Sequence, residues 1–253
     1  MQTSTAKPSS MQVSSSSSAV AHPWLMLISR SVLFMLFQAL IALILFATGT
    51  TAAWYESARW WVFLPILANI VSIYLLVRLF HADGKRYLDV IKFSRATLKT
   101  DLLWIIGSSI IGLPVISAPM NIVGTAIFGD AMTPINMMFR PLPTWALVTS
   151  VLFPLTIGFA ELPTYFAYSM PRLEAQLRNS WVAWLIASFF LAAQHMFLPL
   201  ILDGNFILWR FLMYLPFALF AGLLLKLRPT LLPYTMIIHA LADVSAVSVY
   251  LMI

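Results

Sequence analysis

Four side chains capable of acid–base chemistry stand inside long apolar runs of this sequence: Glu161, His195, His239 and Asp243. A carboxylate and two imidazoles can hold a water molecule and take up its proton. The same groups can hold Zn²⁺ with one position left open for water. His239 and Asp243 are spaced i, i+4, which puts them on one helix face, where the carboxylate can fix the imidazole tautomer. That spacing equally suits a buried polar pair that only ties helices together. The chain has no cysteine, so disulfides, thiol nucleophiles and thiolate metal sites are excluded. Ser245 and Ser248 follow His239 but read as hydroxyls bonded to backbone or to a neighbouring helix.

The surroundings of these four residues are lipid. The composition is 61% hydrophobic and 9% charged, whereas soluble domains carry about a quarter charged residues. An acid or imidazole in hydrocarbon is costly unless paired or hydrated, so such groups face a bundle interior and mark a functional site. Continuous apolar runs argue for helices over the alternating strands of a β-barrel. The expected fold is therefore an all-α transmembrane bundle. Seven spans are read, about Trp24–Thr48, Trp60–Phe80, Leu102–Phe128, Pro143–Met170, Trp181–Leu202, Phe206–Leu227 and Thr230–Ile253. The third holds Pro114 and Pro119 and is expected to kink, or to continue through a re-entrant piece at Met132–Phe139 as an eighth segment. Residues 1–22, with the run Ser14 to Ser18, read as a disordered tail before a membrane domain over 23–253. Counting along the spans puts Glu161 and His239 near mid-membrane and His195 further toward the opposite end. Gly107, Ser108 and Gly112 read as a close-packing face. Trp24, Trp54, Trp60, Trp61 and Trp181 fall at span ends, as in an aromatic belt.

Charge orients the bundle. An inside N-terminus gathers Lys7, Arg30, Arg78, Lys85, Arg86, Lys92, Arg95, Lys99, Arg172, Arg178, Lys226 and Arg228 on the cytoplasmic side. Only Arg59, Arg140 and Arg210 remain for the other. This positive-inside bias accounts for the net charge of +6 without a nucleic-acid partner. Within Lys85–Lys99, Leu88, Ile91 and Leu98 recur among basic residues; a helix on the membrane surface and a solvated basic loop both fit.

At the ionisable residues the sequence resembles the CAAX-protease and bacteriocin-processing (CPBP) family, which includes the type II CAAX prenyl endopeptidases. That family carries E-E-x-x-x-R, F-x-x-x-H and H-x-x-x-N/D on membrane helices. The first region here runs from Glu161 through Leu162, Tyr165, Phe166 and Tyr168 to Pro171; the second is Leu191 to His195; the third is His239 to Asp243. The likeness covers about 143–253. Leu162 stands for the second glutamate and Phe166 for the arginine. These family residues are four apart on one helix, so their joint replacement removes an ion pair without stranding a charge.

The resemblance implies an intramembrane protease, with a bacterial cytoplasmic membrane as the expected location. It acts on a membrane-associated protein or peptide. Glu161 would be the general base on a water that His195 helps to bind; His239 would stabilise the oxyanion, and Asp243 would orient His239. A metal-free site is favoured because no histidine lies in an H-E-x-x-H helix; a zinc site of Glu161, His195 and His239 remains open. An inactive scaffold or immunity-type binding protein is the alternative. A proton-relay transporter is disfavoured because the two halves show no internal repeat.

Overall fold

Lipid offers the backbone no hydrogen-bond partner, so a long apolar run closes its own hydrogen bonds as helix. The computed structural model describes residues 17–250, with side chains from residue 22 onward, and every regular element among them is helical. The helices are α1 (Ser17–Ala47), α2 (Ala53–Ser57), α3 (Phe63–Ala82), α4 (Tyr87–Val90), α5 (Leu98–Phe128), α6 (Met132–Met138), α7 (Thr144–Ser150), α8 (Leu152–Ile157), α9 (Met170–Leu177), α10 (Ser180–Gln194), α11 (Gly204–Leu227) and α12 (Leu232–Val249). Six helical stretches, in α1, α3, α5, α10, α11 and α12, are long and apolar enough to cross a membrane. The protein is a multi-pass membrane bundle.

The fourth expected span departs from this pattern. Over 143–170 the chain is not one regular α-helix: α7 and α8 are followed by a tightened turn at 158–160 with i→i−3 hydrogen bonds and a π-helical segment, Pro163–Ser169, leading into α9. Broken helices are tolerated at membrane depth only where protein buries them, and Ala160 to Phe166 are all buried. The third expected span holds together instead. α5 runs unbroken through Pro114 and Pro119, and Gly129 ends it with φ +76°, a left-handed conformation that glycine adopts without steric cost. The segment expected to re-enter, Met132–Phe139, forms the short helix α6. Residues 17–22 belong to α1 rather than to a tail, and residues 1–16 lie outside the described residues.

Two apolar clusters make the core. One contains Leu27, Leu162, Tyr165, Phe166, Ala187, Ala192 and Ala218. The other contains Phe34, Trp61, Ile157, Leu198, Phe206 and Trp209. Trp61 is thus core, not belt. Small residues let α10 and α11 approach closely. A Cβ on Gly222 would lie 2.6 Å from Ser188 Oγ and 2.7 Å from Phe166 Cε1. The Phe166 ring therefore fills the groove that Gly222 leaves. Of the anticipated close-packing face on α5, Gly112 does abut Phe220, but Gly107 meets nothing within 4 Å.

Candidate functional site

The polar residues lie between the two apolar clusters. Arg30 sits between Leu27 of one and Phe34 of the other on α1; Glu161 sits between Ile157 and Leu162 on the broken segment. The break at 158–160 also sets the distance to α12. A Cβ on Gly158 would be 2.9 Å from the Met236 carbonyl oxygen. Only glycine admits so close a crossing, which lies three residues before both Glu161 and His239.

Each oxygen of Glu161 has its own surroundings. Oε2 accepts from Gln194 Nε2 at 2.7 Å and from Arg30 Nη2 at 3.5 Å. Arg30 is fully buried and further donates to Gln194 Oε1 (2.7 Å), Asn69 Oδ1 (2.9 Å) and Ser72 Oγ (3.3 Å). Asn69 in turn donates to Thr156 Oγ1, and the Tyr165 hydroxyl donates to Gln194 Oε1. Oε1 instead faces His239 Nε2 at 3.0 Å, off the axis of a good hydrogen bond.

His195 is held by three neighbours. Its Nδ1 lies 2.9 Å from the Leu191 carbonyl oxygen, which can only accept, so Nδ1 carries the proton and Nε2 presents a lone pair. Its ring stacks on Tyr214 with centroids 3.5 Å apart. Arg210, expected only near a span end, is buried and donates to the His195 and Leu198 carbonyls. α10 ends at Gln194 and continues as a 3₁₀ turn, His195–Phe197; Pro199 disfavours helix at Leu198, so the span stops short of the expected Leu202. Arg210 satisfies carbonyls at that end. The His195 Nε2 is 4.0 Å from Glu161 Oε2.

His239 stacks on Phe217, centroids 5.1 Å apart, and its Nε2 lies 3.5 Å from Asp243 Oδ2. Asp243 thus approaches the nitrogen that faces Glu161, not the far ring nitrogen. A nitrogen between two carboxylates is best occupied as N–H. Glu161 Oε1, His239 Nε2 and Asp243 Oδ2 are buried and make no well-aligned hydrogen bond, although both oxygens stand close to Nε2. His239 and Asp243 line a cavity of about 540 Å³ between α5, α11 and α12, with Arg210 and Tyr214 as further polar groups among apolar walls; Glu161 and His195 do not line it.

The structure therefore brings Glu161, His195, His239 and Asp243 together from three separate segments, and adds Arg30, Gln194, Asn69 and Tyr214. The sequence had placed Arg30 in the basic rim. Its signal was the one that marked Glu161: it is the sole charge within Trp24–Thr48. Gln194 and Tyr214 carry no charge and left no such trace. Ser245 and Ser248 donate to the Ala242 and Ser245 carbonyls.

His195 faces the Glu161 oxygen held by Gln194 and Arg30, while His239 faces the other. Among the described residues no group of three His, Asp or Glu side chains is arranged to hold a metal ion. No protein-family model, curated protein or solved structure matches the chain.

Proposed function

We propose that the protein is an intramembrane endopeptidase of the CPBP type that hydrolyses a peptide bond of a membrane-associated protein or peptide. The observation that carries this reading is the convergence of Glu161, His195, His239 and Asp243 from three segments, with Glu161 Oε1 3.0 Å and Asp243 Oδ2 3.5 Å from His239 Nε2, next to a cavity that His239 and Asp243 line. Ionisable groups at membrane depth are costly and mark functional sites.

Glu161 Oε2 and the His195 Nε2 are two acceptors 4.0 Å apart. One water can donate to both. Glu161 takes the proton as the water oxygen bonds to the scissile carbonyl carbon. His239 Nε2–H donates to the resulting oxyanion. The carbon–nitrogen bond then breaks, and Glu161 returns the proton to the leaving amine. Arg30 and Gln194 are positioning residues: they hold Oε2 and fix the carboxylate plane, with Oε1 turned toward His239.

One observation favours the alternative, a catalytically inactive scaffold. The Arg30–Glu161 ion pair with Gln194, Asn69 and Ser72 links α1, α3, α10 and the broken segment and would serve as structural glue without chemistry. Purified full-length protein in lipid nanodiscs, incubated with a library of membrane-anchored peptides, separates the two. Cleavage by wild type and none by a folded Glu161→Ala variant supports the protease. Equal behaviour of the two supports the scaffold. Exhaustive chelation is expected to leave cleavage intact; loss on chelation and recovery with Zn²⁺ would establish a metal site instead.

A further inference from the structure

The segment joining α3 to α5 has a composition that the active-site reading does not use. Between Asp83 and Lys99 it carries Lys85, Arg86, Lys92, Arg95 and Lys99, all exposed. Of its two carboxylates, Asp83 is taken by Arg172 and Asp89 by Lys92. Lys85, Arg86, Arg95 and Lys99 have no acidic partner among the described residues. Interleaved with the cations, the large apolar side chains Leu88, Phe93 and Leu98 are exposed by 63%, 48% and 42%.

Exposed cations alternating with exposed apolar side chains suit the boundary between headgroups and acyl chains. The helices alternate in direction, so this segment shares its end of the bundle with Arg172, Arg178, Lys226 and Arg228. It is also anchored to the structure beneath it. Tyr87 and Ile91 are buried. Burial pushes the Tyr87 phenol up, so it remains a donor, and it bonds to the Phe159 carbonyl just before Glu161. The Phe93 ring meets Tyr234 of α12 edge-on at 4.8 Å. The segment therefore braces both chain stretches that carry Glu161 and His239.

We propose that residues 83–99 form a binding surface for anionic phospholipid headgroups. Basic clusters beside a membrane helix attract anionic lipid, and the attraction weakens as salt shortens the Debye length. The apolar side chains seat the segment among the acyl chains while the cations meet the phosphates.

The test uses the full chain in phosphatidylcholine bilayers with trace spin-labelled phosphatidylglycerol or spin-labelled phosphatidylcholine. The readout is the motionally restricted, protein-bound fraction, which does not depend on peptide hydrolysis. Wild type should retain phosphatidylglycerol several-fold over phosphatidylcholine at low salt, and less so at high salt. The variant with Lys85, Arg86, Lys92, Arg95 and Lys99 each changed to Gln should lose most of that preference. All five side chains are exposed, so folding should survive, checked by an unchanged Tm. A control with Arg178→Gln and Lys226→Gln, at the same end but outside the segment, should keep it. Equal retention of the two lipids by wild type, or a preference undiminished in the five-residue variant, would overturn the proposal.

Discussion

Glu161 is asked to do two things with two oxygens. Oε2 is gripped by Gln194 and Arg30, and Oε1 is left toward His239. Glu161→Gln keeps the shape and removes the base, so the rate of peptide cleavage should fall by ~10²–10⁴-fold, with an unchanged Tm or a higher one. Arg30 tests the grip from the other side. Arg30→Met strands a buried carboxylate and should destabilise the protein by about 3–5 kcal/mol, measured as denaturant unfolding of the purified protein. Adding Glu161→Leu removes the stranded charge and should restore most of that loss. If Arg30→Met unfolds no more easily than wild type, the ion pair is not the brace described here. The four acid–base residues were legible in the sequence because a charge in an apolar run has few explanations. Arg30 gives the same signal but also fits the positive-inside bias, and Gln194 gives none.

At the scale of elements, the site depends on a helix that fails to complete itself. Gly158 lets the broken segment cross α12 at the Met236 carbonyl, three residues ahead of Glu161 and His239 alike. Gly158→Ala must push these elements apart by a few tenths of an ångström. It should cost about 1–3 kcal/mol of stability and roughly 10–100-fold in cleavage rate, with the second effect traceable to a longer Glu161–His239 distance in a structure of the variant. The break has a sequence signal in Pro154, Gly158 and Pro163, which interrupt the apolar run over 143–170. The early end of α10 is likewise announced by Pro199. Leu162 and Phe166 are core residues, Phe166 occupies the groove above Gly222, and the cation beside Glu161 comes from α1.

For the molecule as a whole, the all-α membrane fold followed from composition and run length, since lipid leaves a backbone few choices. Its orientation is a further expectation. The chain has no native cysteine, so single cysteines at Lys85 and Arg178 should react with an impermeant maleimide only from the cytoplasmic face, and those at Tyr55 and Asp130 only from the other. Labelling in the reverse sense would invert the bundle and bring the basic end outside. The claim on which the rest depends is that Glu161 turns water against a peptide bond within the membrane. It is met most directly by growing cells expressing wild type or Glu161→Gln in H₂¹⁸O and sequencing their membrane-associated peptides by mass spectrometry. The account predicts new C-termini carrying ¹⁸O in wild type alone. Identical sets of labelled termini in the two strains would contradict it.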